Sequence, residues 1–215
     1  MNLANKLTIF RMILVPIFVV IGYLGTLGVI TGEWLGISIS FLLMDLVFII
    51  ASITDKLDGY IARSRNQVTT FGKFLDPLAD KILVLSALVM LVEYGKIPGW
   101  IPVIVLAREF IVSGYRLIAV EKGGEVIAAN IWGKIKTVTQ MIGIIFMFLD
   151  QFGYAKFIFA TTNMKVAMES SIYRYMTTGQ YIFNIITTVL ITISVIATIF
   201  SGWKYLKEGK DLLKD

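Results

Sequence analysis

The amino-acid sequence predicts an all-α integral membrane protein with six transmembrane helices. Three observations carry that prediction: the composition, a series of long apolar stretches, and the placement of basic residues and tryptophans. Hydrophobic residues make up 57% of the 215-residue chain and charged residues 16%, with a mean hydropathy of +0.79. Soluble domains average about 45–50% apolar and about 25% charged residues, so both departures point to a bilayer. The length suits a single membrane domain covering residues 1–215. The first apolar run is long enough to span and lacks the small-residue cleavage site of a signal peptide.

Met1 to Leu7 is a short polar lead with Asn2, Asn5 and Lys6, expected at the membrane interface. Six apolar stretches follow at roughly 8–30, 37–62, 74–94, 99–120, 131–150 and 180–202. Each is long enough to cross a hydrocarbon core of about 30 Å. Thr31 to Gly36 and Tyr94 to Pro98 carry Gly or Pro and read as tight turns. Ala62 to Lys73 reads as a polar loop, and Glu121 to Asn130, with Gly123-Gly124, has no spanning signal. Gln151 to Gly179 mixes Lys156, Lys165, Glu169 and Arg174 with aromatics. Its apolar positions predict a surface helix rather than a seventh span.

Basic loops stay on the cytoplasmic side of a membrane. With both termini inside, only Lys96, Lys156, Lys165 and Arg174 of the 20 basic residues fall outside. Trp34 and Trp100 then mark outer helix ends, and Trp132 and Trp203 inner ends, as an aromatic belt requires. This N-in, C-in topology predicts a multi-pass protein of the cell membrane. It brings the end of the second stretch, the start of the third, the end of the fourth and the start of the fifth to the cytoplasmic face, around an expected polar cavity.

The chain has no cysteine and no histidine. Disulfides, thiolate metal sites and thiol nucleophiles are excluded, together with the commonest general base. Acid–base or metal chemistry must run on carboxylates. The net charge of +5 suits an anionic partner, and the hydropathy favours lipid over nucleic acid.

Four aspartates, Asp55, Asp58, Asp76 and Asp80, stand at spacings of three and four beside apolar runs. Residues three or four apart share a helix face. An unpaired acid near a bilayer centre costs about 2.5–3.5 kcal/mol on insertion scales, so these need compensation. The bland reading is an ion-pair cluster with Lys56, Arg63, Lys73 and Lys81, although Lys56 adjoins Asp55 and points elsewhere on a helix. The sharper reading is a divalent-metal site, because carboxylates suit Mg²⁺, Mn²⁺ or Ca²⁺. Four carboxylates match two divalent ions, an arrangement that serves phosphoryl chemistry, and one acid could take a proton from an attacking hydroxyl. Gly59, Ala62 and Gly72 thin the helix surfaces, either for a ligand or for close packing. Pro77 fits a first helical turn, or would kink a helix that starts earlier.

The pattern Asp55-x₂-Asp58-Gly59-x₂-Ala62-Arg63-x₈-Gly72-x₃-Asp76-x₃-Asp80 resembles, at every fixed position, the signature of the CDP-alcohol phosphotransferases. The six-span topology extends the resemblance over nearly the whole chain. The resemblance implies two divalent cations, most often Mg²⁺ with Mn²⁺ possible, held by Asp55, Asp58, Asp76 and Asp80. It implies that Asp80 is the general base and that Arg63 binds the donor diphosphate, with Gly59, Ala62 and Gly72 making room for the nucleotide. It also implies a homodimer.

Basic residues bear on the acceptor. Arg108 and Arg116 lie eight apart, about 80° around a helix, and Lys134 and Lys136 open the fifth stretch. Two apart, those lysines are nearly opposed on a helix, so only one is expected to face the cavity. An ion pair of Arg108 with an acid such as Glu109, or a topological role for the other three, is the bland alternative. Arginine forks bind phosphate bidentately, which suits an anionic acceptor. Arg108-Glu109-Phe110, Gly133-Lys134-x-Lys136-Thr137 and Asn5-x₂-Thr8-x₂-Arg11 resemble the branch of the family that joins CDP-diacylglycerol to glycerol 3-phosphate, with Thr8 on the donor side. Ala4, where that branch often has proline, and a longer Gln151–Gly179 segment depart from it. Phosphatidylglycerol, serine or inositol phosphate are alternative acceptors. A divalent-cation channel would need polar residues to continue outward, and only scattered ones such as Asp45 do.

Overall fold

The computed structural model describes residues 3–64, 70–121 and 131–208, with the side chains of 3–5, 56–64, 70–77, 120 and 208 outside that description. Five helices follow the apolar stretches in order: α1 (Leu3–Thr26), α2 (Ile39–Ser64), α3 (Thr70–Glu93), α4 (Trp100–Glu121) and α5 (Ile131–Leu149). A short α6 (Met164–Glu169) and a long α7 (Thr178–Glu208) complete the series. Of the described helices, α1, α5 and α7 contain segments long and apolar enough to cross a membrane.

Several expected boundaries change. Leu3 to Leu7 is not a separate interfacial lead but the first turns of α1, which ends at Thr26 rather than near residue 30. Thr31 to Gly36 is more than a turn, because Glu33–Trp34 (β1) pairs antiparallel with Ile37–Ser38 (β2). Leu35 and Gly36, between the strands, have φ of 54° and 76°, and two positive φ values are what a type I′ hairpin turn requires. The expected Ala62–Lys73 loop shrinks, since α2 runs to Ser64 and α3 begins at Thr70. Pro77 therefore lies inside α3 and not in its first turn. The Glu121–Asn130 connection lies, beyond Glu121, outside the described residues.

The Gln151–Gly179 segment is not one surface helix. It holds a 3-10 turn at Lys156–Phe159, strand β3 (Ala160–Thr161), α6, and strand β4 (Arg174–Tyr175) parallel to β3. Ala155, at φ 58°, starts the 3-10 turn from the left-handed region, and the Asn163 side chain accepts from the Lys165 N–H to start α6 anew. These local stops divide what periodicity alone reads as continuous.

The chain divides into two compact units, Met1–Tyr94 with Met147–Gln151, and Gly95–Phe146 with Phe152–Asp215. In the first, α1, α2 and α3 bury Phe18, Met44, Phe48, Ala51, Leu83, Ala87 and Leu91, and Phe18 meets Phe148 edge-on at 5.8 Å between ring centroids. Small residues allow the close approach. A Cβ on Gly25 would lie 2.5 Å from Ser40 Cβ and 2.9 Å from the Tyr94 hydroxyl, and that hydroxyl donates to the Gly22 carbonyl at 2.5 Å. The end of α1 thus meets the start of α2 and the end of α3, so α2 runs antiparallel to the other two.

In the second unit, Phe146 of α5 stacks on Phe183 of α7, and Trp132 of α5 stacks on Phe200 of α7. These pairs set α5 and α7 antiparallel. The buried face of α7 carries Asn184, Thr187, Thr188, Ser194, Thr198 and Ser201, while Ile182, Ile186, Val189, Ile193, Ile196 and Phe200 point outward. A helix in water turns its apolar stripe inward. Here polarity is inverted, as expected where the surroundings are as apolar as the core and helices associate through small and polar contacts. The inner hydroxyls are satisfied locally, with Thr187 donating to Phe183 O at 2.8 Å and Thr198 to Ser194 O at 2.7 Å.

Replacing Gly25 by Val should force Ser40 and Tyr94 apart and cost about 1–3 kcal/mol by overpacking. Thermal unfolding of the purified variant in detergent should show a midpoint lowered by several degrees. An unchanged midpoint would show that α1 and α2 separate without cost.

Candidate functional site

In the first unit, both halves of the aspartate pattern fall in helix. Asp55, Asp58, Gly59, Ala62 and Arg63 belong to α2, and Gly72, Asp76 and Asp80 to α3. Among these, the side chains of Asp55 and Asp80 are described, and both are half-buried. Those of Asp58, Gly59, Ala62, Arg63, Gly72 and Asp76 lie outside the described residues.

Helix geometry sets Asp55 and Asp80 at one level. Ser40 and Tyr94 both approach Gly25. Asp55 lies fifteen residues along α2 from Ser40, and Asp80 fourteen residues back from Tyr94. At 1.5 Å per residue both are about 21–23 Å from that anchor. Thr8 and Arg11 of α1 reach the same end of the unit by the same count. Thr8 is buried and Arg11 fully so.

Arg11, which the sequence offered as part of a resemblance, is the residue it did not identify as a partner for the acids. Its Nη1 lies 2.7 Å from Asp55 Oδ1, with the arginine fully buried and the aspartate side chain 32% exposed. The bland reading sought partners for the acids on α2 and α3 themselves, at Lys56, Arg63, Lys73 and Lys81. The pairing shown for Asp55 comes instead from α1. The available signal was an arginine inside the first apolar run, since a charge within a spanning segment requires a partner.

Among the described residues no group of three or more metal-ligating side chains converges, and the side chains of Asp58 and Asp76 lie outside them. The donor set still fits a hard cation. It offers only carboxylate oxygens, in a chain without cysteine or histidine, and two of the four acids share one level at one end of the helices.

The second unit gathers the basic residues. Glu109 Oε1 takes Lys136 Nζ at 2.5 Å and Arg108 Nη1 at 2.8 Å. Arg108 Nη2 donates to Ser201 Oγ at 2.7 Å, and Arg116 Nη2 to the Tyr205 hydroxyl at 3.3 Å. Tyr205 is buried and lies under the Arg108 guanidinium at 5.9 Å. Two cations thus meet one carboxylate at the end of this unit where α5 starts and α7 finishes, and Arg116 joins them through Tyr205. Lys136 is the buried lysine of the pair, while Lys134 is exposed, which answers which of the two turns inward. The Arg108–Glu109 contact of the bland reading is present, and it is shared with Lys136. Two buried donors, Arg108 Nε and Gln140 Nε2, have no hydrogen-bond partner among the described residues.

With this geometry in place, comparison with known proteins defines the class. The sequence profile of the CDP-alcohol phosphatidyltransferase family matches residues 1–203, and the chain belongs to that family. It is 39% identical to the CDP-diacylglycerol–glycerol-3-phosphate 3-phosphatidyltransferase of Bacillus subtilis, over 99% of this chain and 97% of the relative. A protein of the same name from Haemophilus influenzae is 36% identical over 100% of this chain and 96% of the relative. One from Rickettsia typhi is 31% identical over 97% of each.

The burial difference between the two lysines gives a direct test. Lys136→Met should remove one of the two cations that Glu109 holds and lower stability by about 1–3 kcal/mol. Lys134→Met should stay within about 0.5 kcal/mol of the parent. Thermal unfolding of both variants side by side checks this, and the reverse order would contradict the assignment of Lys136 as the inward residue.

Proposed function

We infer that this chain transfers the phosphatidyl group of CDP-diacylglycerol to sn-glycerol 3-phosphate, giving phosphatidylglycerophosphate and CMP. The observation that carries the reading is the name shared by relatives at 31–39% identity over nearly the whole chain. The eight signature residues from Asp55 to Asp80 agree with it. The enzyme spans the cell membrane six times with both termini in the cytoplasm, acts at the cytoplasmic face, and works as a homodimer. The inverted polarity of α7 and the three long apolar helices support the membrane part of this reading.

Asp55, Asp58, Asp76 and Asp80 would hold two divalent cations, most suitably Mg²⁺. When bound, such ions neutralise diphosphate charge and polarise its P–O bonds. Arg11 engages Asp55 Oδ1 and so orients that carboxylate from the side of α1. The Asp80 carboxylate accepts the proton of the acceptor's 1-hydroxyl. The freed oxygen attacks the β-phosphorus of the donor, and the bond to the bridging oxygen breaks as CMP leaves. Arg63 meets the charge that develops on the departing phosphate. Gly59, Ala62, Gly72 and Thr8 line the donor's path.

Arg108, Arg116, Lys134 and Lys136 would take the acceptor phosphate. The donors Arg108 Nε and Gln140 Nε2, buried without a hydrogen-bond partner among the described residues, support this. A buried donor without an acceptor requires an explanation, and an anionic ligand supplies one. Lys134, being exposed, would act at the rim.

CMP release by the purified protein, with CDP-diacylglycerol and a panel of alcohols, tests the reading. Release should require glycerol 3-phosphate and Mg²⁺ and stop in EDTA. Asp80→Asn should lower turnover by at least about 10²-fold while CDP-lipid binding persists. Arg116→Ala should raise the KM for glycerol 3-phosphate. Release driven equally well by serine or inositol phosphate would overturn the acceptor assignment, and normal turnover by Asp80→Asn would overturn the base.

A further inference from the structure

We propose that the segment from Lys156 to Tyr175 is a preformed platform that seats on an anionic lipid surface. The proposal rests on the reading of α5 and α7 as membrane spans. If both cross the bilayer, the chain between Leu149 and Thr178 emerges at a single membrane face.

The platform is fastened to α7 by a row of polar side chains. Asn184, fully buried, accepts from the Phe157 N–H at 2.8 Å and donates to Gly153 O at 2.6 Å. One turn on, Thr188 Oγ1 accepts from the Ala155 N–H at 3.0 Å, and a turn further Thr192 Oγ1 meets the Tyr154 hydroxyl at 3.1 Å. A polar stripe at i, i+4 and i+8 thus meets this turn, with Asn184 and Thr188 satisfying its backbone and Thr192 the Tyr154 hydroxyl. The Met176 N–H closes the far edge onto Thr161 O at 3.0 Å.

What this fastening presents outward is apolar. Neither the 3-10 turn nor α6 has a buried residue. Phe159 is 60% exposed, Met164 56%, Met168 78% and Ile172 67%. Met164 and Met168 are four apart and share one face of α6, so this face is turned away from the protein. A protein-binding patch concentrates apolar residues at a centre within a polar rim. Here cations alternate with the apolar side chains along the chain, as in Lys156-Phe157-Ile158-Phe159, Met164-Lys165-Val166 and Tyr173-Arg174-Tyr175. Lys156, Lys165 and Arg174 outnumber Glu169, the acid that stands among them. Alternating cations, aromatics and flexible apolar groups are the chemistry of a lipid interface bearing negative charge.

The chain has no cysteine, so Met168→Cys gives a unique thiol for an environment-sensitive fluorophore. The labelled full chain is reconstituted into vesicles of phosphatidylcholine, with or without phosphatidylglycerol, and lipids carrying a doxyl quencher near the headgroup. Ile196→Cys, on the outward face of α7, is the control with a quencher placed deep in the acyl chain. The proposal expects quenching at position 168 that is at least twofold stronger in the anionic vesicles. Adding Lys165→Gln and Arg174→Gln should remove that enhancement. A water-exposed label at 168 beside a quenched label at 196 would overturn the platform. Self-quenching at 168 without doxyl quenching would assign the face to a second copy of the chain, and equal quenching in both vesicle types would overturn the anionic preference. Failure at both positions would sink the membrane reading of α7 and the proposal with it.

Discussion

The ion pair between Arg11 and Asp55 is the contact on which the rest of the arrangement depends. Taking a guanidinium fully out of water costs several kcal/mol unless a partner meets it, and the first acid of the signature meets Arg11 at 2.7 Å. The pair ties α1 to α2 at the end where Asp80 of α3 also lies. At the other end Gly22, Gly25 and Tyr94 lock the same three helices by close packing and one hydrogen bond. Packing fixes one end and charge the other. A carboxylate paired in this way is held from a neighbouring helix as well as by its own.

The same logic of compensation appears in the second unit with the signs reversed. Glu109 is the acid that holds Lys136 and Arg108 together, and Ser201 and Tyr205 of α7 complete the set. The bland and functional readings of Arg108 are not exclusive. Glu109 takes part of its charge, while Nε is left without a partner among the described residues. The cluster is a structural ion-pair network in which two cations share one carboxylate.

The helices were legible because each of the five long ones from α1 to α5, and α7, follows an apolar run too long for a strand. The signature was legible because carboxylates three and four apart on a helix have a definite geometry. Three things were not. The start of α1 was hidden because Asn5 and Lys6 read as polar lead, although no helix stop follows them. The Lys156–Tyr175 region was hidden because its breaks are made by a left-handed Ala155 and an Asn163 cap, which leave little trace in a periodicity count. Arg11 was visible as part of a resemblance but not as a partner, because its acid stands 44 residues away in the chain. Long-range pairing of this kind is set by the packing of helices and not by local spacing. The inverted face of α7 has the same origin, since a pattern of Thr and Ser among Ile and Val shows its sense only once the inner side is known.

The central claim is that the signature acid is held by a charge on the first helix. A double-mutant cycle tests it most directly, comparing the thermal stability of the parent with Arg11→Met, Asp55→Asn and the double variant in detergent without substrate or metal. The account predicts that the two single losses sum to more than the double, with a coupling of at least about 1 kcal/mol. Strictly additive losses would contradict it and return the compensation of Asp55 to residues on its own helix.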